Sequence, residues 1–361
     1  MCPLRPTVPR VSGLAGWRRG IFGAAAALLA GLACGAAPAR ANDSTAVLGA
    51  GGLQLTVNSG IAMKSEDLKI SVGAVEITYL FENGGDAPVT TLVAFPLPVL
   101  RAGDPDIADA LPRENDPLNF VGFTVSVDGK PVTPQVEQRA SILGVDITDR
   151  LKADAIPLNP YVRQQARAAL ARLPKEKREF YVRNGLAVWS GDEPLSVQWD
   201  VATTFFWQQT FPAKSVVKVQ HRYVPVSGSG LLSAAQLAAP GAMEALGRRY
   251  CLDAAAAERI RAGLAAPRAG AEGRRMKTST LEYVLRTGAN WAGPIGRFRL
   301  TIEKPAADAV PALCAPGRLV PASPTALVFE ATDFTPVADL DILFLQPEAA
   351  APGASIAGPG R

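Results

Sequence analysis

The chain has 361 residues, with 37 basic and 33 acidic side chains, one histidine, and 48% hydrophobic content, enough to fill the cores of two domains. The basic excess is confined to the start: residues 1–41 hold five arginines and no acid, which leaves 32 basic against 33 acidic residues. Nucleic-acid binding needs clustered cationic charge, so this balance gives no support to a nucleic-acid partner.

The first element in chain order is a leader. Arg5, Arg10, Arg18 and Arg19 precede an apolar run from Ile21 to about Leu32, and small residues end in Ala39-Arg40-Ala41. This is the layout of a secretory signal peptide. The run is too short for a membrane span, which takes ~20 residues. Cleavage after Ala41 is expected, with Asn42 as the first residue of a periplasmic or secreted protein. Arg18-Arg19 leaves twin-arginine export open beside the general route. Leu32-Ala33-Cys34-Gly35 raises a lipoprotein reading, but Gly31 stands where a lipobox wants leucine. The later apolar stretches are cut by Pro, Gly or charge, so no transmembrane helix is expected in the mature chain.

Residues 42–158 read as a β lobe. Asp67–Val72 and Val75–Phe81 alternate polar and apolar side chains, the period of a half-buried strand. Asn83-Gly84-Gly85-Asp86 is a turn, Val89–Phe95 the next strand, and Phe120–Val127 alternates again. Asp128-Gly129 suits a type I′ hairpin turn. The loop from Arg101 to Pro117 carries Asp104, Asp106, Asp109, Glu114 and Asp116, but lacks the order and glycine of an EF-hand. It reads as solvated, and no metal site is expected.

The period changes to helical in 159–182, where Val162, Ala166, Ala169, Leu170 and Leu173 recur, with a break at Pro174. Residues 183–346 return to strands at 195–211, 215–226, 281–286, 298–303, 326–330 and 340–345. A helical insertion lies at about 231–275, with Asp253 as an N-cap. The Ala/Pro/Gly tail, 347–361, reads as disordered. The fold class expected is mainly β: two antiparallel β-sandwich-like lobes with helical insertions.

Catalytic signatures are missing: no CxxC, HExxH, P-loop or GxSxG. No catalytic residue and no cofactor are therefore assigned. His221 lies in an alternating strand on one face with Val217, Val219 and Tyr223, which suits a packed histidine. Cys251 and Cys314 survive leader removal as an even pair in an oxidising compartment and are expected to form a disulfide. Aromatics gather at Trp199, Phe205, Phe206, Trp207 and Phe211. Gly288, Asn290, Trp291, Gly293 and Pro294 make a glycine-dense loop between strands. Trp207, Asn290 and Trp291 are the candidate contacts for a ligand or partner, an envelope protein or a glycan. For Trp291 the alternative is a plug between sheets, and that reading is favoured.

These motifs resemble DUF4424, an uncharacterised family of exported bacterial proteins. The likeness rests on Asn42-Asp43-Ser44, Gly51-Gly52-Leu53, Ile61–Leu68, Val93–Pro98, Trp207 with Phe211-Pro212, and Tyr283–Ile295. Phe95-Pro96-Leu97-Pro98 with Val127-Asp128-Gly129-Lys130 also resembles the VIT domain, a β-sandwich of extracellular proteins, which by analogy favours an adhesive or scaffolding module over an enzyme. The reading is an exported, non-catalytic binding or scaffolding module of the cell envelope. The alternatives are a glycan- or small-ligand-binding sandwich, or a hydrolase whose carboxylates lie far apart in sequence.

Overall fold

A computed structural model describes residues 43–49, 52–58, 60–103, 116–191, 193–265 and 275–348. The leader, the carboxylates of 104–114 and the tail beyond 348 lie outside the described residues, and so do the expectations attached to them.

The protein is mainly β. Its strands begin with β1 (Ser44–Gly49), β2 (Gly52–Thr56), β3 (Ile61–Ile70), β4 (Val75–Asn83) and β5 (Val89–Pro96). Next come β6 (Thr124–Val127), β7 (Lys130–Val132), β8 (Gln135–Ile142), β9 (Val145–Asp146), β10 (Ala187–Ser190) and β11 (Glu193–Val197). Then follow β12 (Asp200–Phe211), β13 (Ser215–Tyr223), β14 (Gly228–Ser233) and β15 (Arg275–Tyr283). The last are β16 (Ile295–Glu303), β17 (Val310–Leu313), β18 (Val320–Ser323), β19 (Ala326–Phe334) and β20 (Leu340–Pro347). Three helices, α1 (Thr148–Ala153), α2 (Arg163–Ala171) and α3 (Lys175–Arg183), precede β10. Three more, α4 (Ala234–Ala238), α5 (Ala242–Tyr250) and α6 (Ala254–Ala265), follow β14.

Alternation sets the buried face of each strand. In β4, Val75, Ile77, Tyr79 and Phe81 are buried, and the residues between them are only half-buried. In β13, Val217, Val219, His221 and Tyr223 point inward while Val216 is exposed. Strand β3 begins with the odd residues Ile61 and Met63 inside, yet Glu66, Leu68 and Ile70 are inside further on. A bulge between Met63 and Ser65 absorbs one residue and reverses the parity. The bulge thus aims an acid, Glu66, into the core.

Four sheets result. An eight-stranded sheet runs β18-β19-β16-β3-β4-β13-β6-β7, and a six-stranded sheet runs β2-β1-β5-β12-β8-β9. A four-stranded sheet is ordered β14-β15-β20-β17, and β10-β11 form a hairpin. Among the described residues all strand pairs are antiparallel except β16 with β3. Residues from the three larger sheets share one apolar cluster, including Phe81, Phe95, Phe211, Phe298 and Phe344. Strand pairing crosses the expected division at 158/183: β12 lies between β5 and β8, β13 beside β4, and β16 beside β3.

Asp128 and Gly129 both take positive φ between β6 and β7, as a type I′ turn requires. Pro174 separates α2 from α3. Asp253 Oδ1 accepts the Ala256 N–H at 2.6 Å at the start of α6. Leu231 and Leu232, expected in a helix, instead lie in β14. Their backbones pair with Lys277 and Met276, and the helical turn begins only at the Ser233 capping box.

Candidate functional site

Two of the three predicted contact residues, Asn290 and Trp291, meet the first described residues of the chain, Asp43 and Ser44. Asp43, Ser44, Thr45 and Ala46 are all buried, and β1 runs between β2 and β5. The Trp291 indole N–H donates to the Asp43 carbonyl at 2.7 Å, and the Asn290 side-chain amide donates to Ser44 Oγ at 2.9 Å. Trp291 packs against Phe81, with ring centroids 4.4 Å apart, and against Phe211. Trp207 stands edge-on to His221 at 5.4 Å.

Trp207 is 3% exposed and Trp291 2%. The solvent-facing aromatic platform considered for a glycan is therefore not formed by these two residues. On β12, Trp207 shares the inward face with Phe205 and Phe211. Trp291 ends a 3-10 turn, Arg286–Asn290, that seats its ring on Phe81. Asn290 is half-buried and is occupied by Ser44 and by the Asn58 N–H, which its carbonyl accepts at 2.7 Å.

Behind this segment lies a buried polar group. Asp43 Oδ2 is 3.6 Å from His221 Nε2, with both side chains fully buried. Burial drives His221 down to about 3, so its ring is neutral at physiological pH. Burial, reinforced by the Glu66 charge, pushes Asp43 well above the usual carboxylate range. The contact therefore sets a carboxyl group of raised proton affinity against a neutral imidazole. Burial also raises the hydroxyl groups of Tyr79, Tyr223 and Tyr283. Among the described residues no group of three or more His, Cys, Asp or Glu is arranged to hold a metal.

A surface cleft lies elsewhere. Its apolar wall comes from Leu97, Leu100, Phe120, Val121, Val226 and Leu281. Arg101, Arg249, Glu282 and Asp341 form its charged rim. The empty space between the walls, open mouth included, is about 650 Å³. These residues come from the stretch just after β5, the turn before β6, the connection after β13, the end of α5, and strands β15 and β20. Glu282 and Asp341 sit opposite each other in the β15–β20 ladder, so their side chains share a face. Arg101 Nη1 lies 3.4 Å and Arg249 Nη2 3.7 Å from Glu282 Oε1, and Arg249 Nε is 4.0 Å from Asp341 Oδ2. Burial raises the proton affinity of Glu282, helped by Asp341 and opposed by Arg101 and Arg249.

The disulfide positions one side of the cleft. Cys251 and Cys314 are bonded, joining the C-cap of α5 to the chain just after β17. Arg249 and Tyr250 immediately precede that anchor, and the Arg249 guanidinium lies 5.0 Å above the Tyr250 ring. Sequence reading missed the four rim charges because they come from separated segments. The only local signal is an acid, Glu282, between Leu281 and Tyr283 in a strand whose two flanking residues are buried.

With this geometry established, comparison with known proteins places the chain. The profile described as Domain of unknown function (DUF4424) matches residues 41–343. The chain belongs to the DUF4424 family. No curated protein matches it. Among solved structures, a Legionella pneumophila protein described as a "putative nutrient binding protein" is similar at 15% identity and a TM-score of 0.35. The match covers 85% of this chain and 72% of that one. That description belongs to the neighbour. No helix among the described residues is long and apolar enough to cross a membrane.

Proposed function

We propose that this DUF4424 protein is an exported, non-catalytic binding module of the cell envelope and that its site is the cleft rimmed by Arg101, Arg249, Glu282 and Asp341. The observation that carries the reading is the pairing of an apolar wall with convergent charges in one concavity, the usual composition of a small-molecule site. Export is supported by the leader sequence and by the Cys251–Cys314 bond, since disulfides persist in oxidising compartments. The test uses a neutral apolar dye, N-phenyl-1-naphthylamine. Saturable fluorescence enhancement with the folded protein, lost when Val226→Trp fills the cleft, supports the reading. No enhancement, or enhancement untouched by that substitution, overturns it.

One observation favours hydrolysis instead: Glu282 and Asp341 converge on the cleft, and burial raises Glu282. The two arginines beside Glu282 oppose that rise, which suits charge recognition better than proton donation. Turnover of a chromogenic ester or glycoside that disappears in Glu282→Gln would transfer the function to hydrolysis.

A further inference from the structure

The rim charges alternate in sign. Arg101, Glu282, Arg249 and Asp341 form a chain in which each neighbour is oppositely charged, with separations of 3.4, 3.7 and 4.0 Å. Charge-assisted hydrogen bonds between such groups close to about 2.7–2.9 Å when geometry allows. The contacts here are longer, and Glu282 Oε1 is shared by two guanidiniums. All four side chains are a third to a half exposed, so their mutual attraction is weak and screened.

We propose that the cleft takes a free zwitterionic amino acid with an apolar side chain, its carboxylate on Arg101 and Arg249 and its ammonium on Glu282 and Asp341. This rests on the cleft being the binding site. Two bases and two acids sum to zero, so the rim suits a molecule carrying one charge of each sign. A plain anion meets Glu282 and Asp341, and a plain cation meets the two arginines; each is rejected by like charge. The apolar wall behind the rim, from Leu97 to Leu281, then receives the side chain. An arriving ammonium also favours charged Glu282, whose ionisation burial opposes.

The experiment is calorimetric titration of the unaltered protein with L-leucine, L-phenylalanine, glycine, leucinamide and N-acetyl-leucine, each also tested for displacing N-phenyl-1-naphthylamine. Leucine or phenylalanine is expected to bind and displace the dye. Leucinamide lacks the carboxylate, N-acetyl-leucine the ammonium and glycine the side chain; each is expected to bind at least about tenfold more weakly, a loss of about 1.4 kcal/mol. Arg249→Gln and Glu282→Gln should each produce a similar loss for leucine while the thermal melt stays in place. Equal binding of leucinamide or N-acetyl-leucine overturns the zwitterion assignment. Cleft-dependent dye binding that no amino acid displaces also overturns it, but leaves the binding function standing. Absence of dye binding together with absence of calorimetric binding by leucine and phenylalanine removes both.

Discussion

The Trp291 indole donates its N–H to the carbonyl of Asp43 at 2.7 Å, tying the loop before β16 to the first described residue of the chain. The bond is buried and joins residues 248 positions apart in the sequence. Trp291 therefore has two separable roles: its ring fills space against Phe81 and Phe211, and its nitrogen satisfies a backbone acceptor.

Trp291→Ala removes both and should cost about 3–5 kcal/mol, as large core truncations do. Trp291→Phe keeps an aromatic ring but leaves the Asp43 carbonyl without its indole donor, and should cost about 1–3 kcal/mol. Urea midpoints of the two variants check this. A Trp291→Ala midpoint equal to wild type would mean that the ring is not part of the core.

Asp43 predicts a pH dependence. Its folded proton affinity is raised by burial and by Glu66, so the folded chain holds a proton that the unfolded chain releases. Stability from this group is full below the unfolded carboxylate range and declines as pH rises through the folded value. Asp43→Asn, which cannot ionise, should be more stable than wild type near neutral pH, with the gap closing as pH falls toward 4. Denaturation at a series of pH values tests it; a gap that widens toward acid would contradict the sign.

Gly296 is set by the bulge in β3. A Cβ at this position would sit 2.8 Å from the Lys64 carbonyl oxygen, a backbone atom that cannot rotate away. Gly296→Ala should cost about 1–3 kcal/mol by overpacking. The bulge also aims Glu66 inward, so the same variant should disturb the buried acids. The readout is the pH profile of its stability, compared with that of Asp43→Asn.

Cys251 and Cys314 close a loop spanning 63 positions. On the chain-entropy model, reduction should lower stability by about 4 kcal/mol. Because Arg249 lies beside this anchor, reduced protein should also bind the cleft dye less well. Urea titrations with and without reductant, paired with dye fluorescence, provide both readouts.

Sequence legibility followed the range of the interactions. The alternation in Val75–Phe81, the paired positive φ at Asp128-Gly129 and the break at Pro174 are local, and their positions could be read from neighbouring residues. The inward face of His221 was legible for the same reason. The burial of Asp43 was not: an acid beside an expected cleavage site reads as solvated, and only the fold brings Trp291 and His221 to it. Leu231-Leu232 looked helical because alanines follow, whereas pairing with Met276 and Lys277 holds them extended. The cleft was invisible because Arg101, Arg249, Glu282 and Asp341 have no spacing in common.

The parallel pairing of β16 with β3 bears on the order in which the chain can fold. Ser65 through Ile70 must wait for Arg297 through Ile302, which emerge only after most of the chain has been delivered. Until then β3 has only β4 on one side, and its other edge is open to wrong partners. Contacts this distant in sequence slow folding, and unpaired edges during the delay favour aggregation. A chain threaded through an export channel from its N-terminus would have this edge uncovered throughout its passage. Its yield should therefore depend on holding chaperones more than its final stability would indicate.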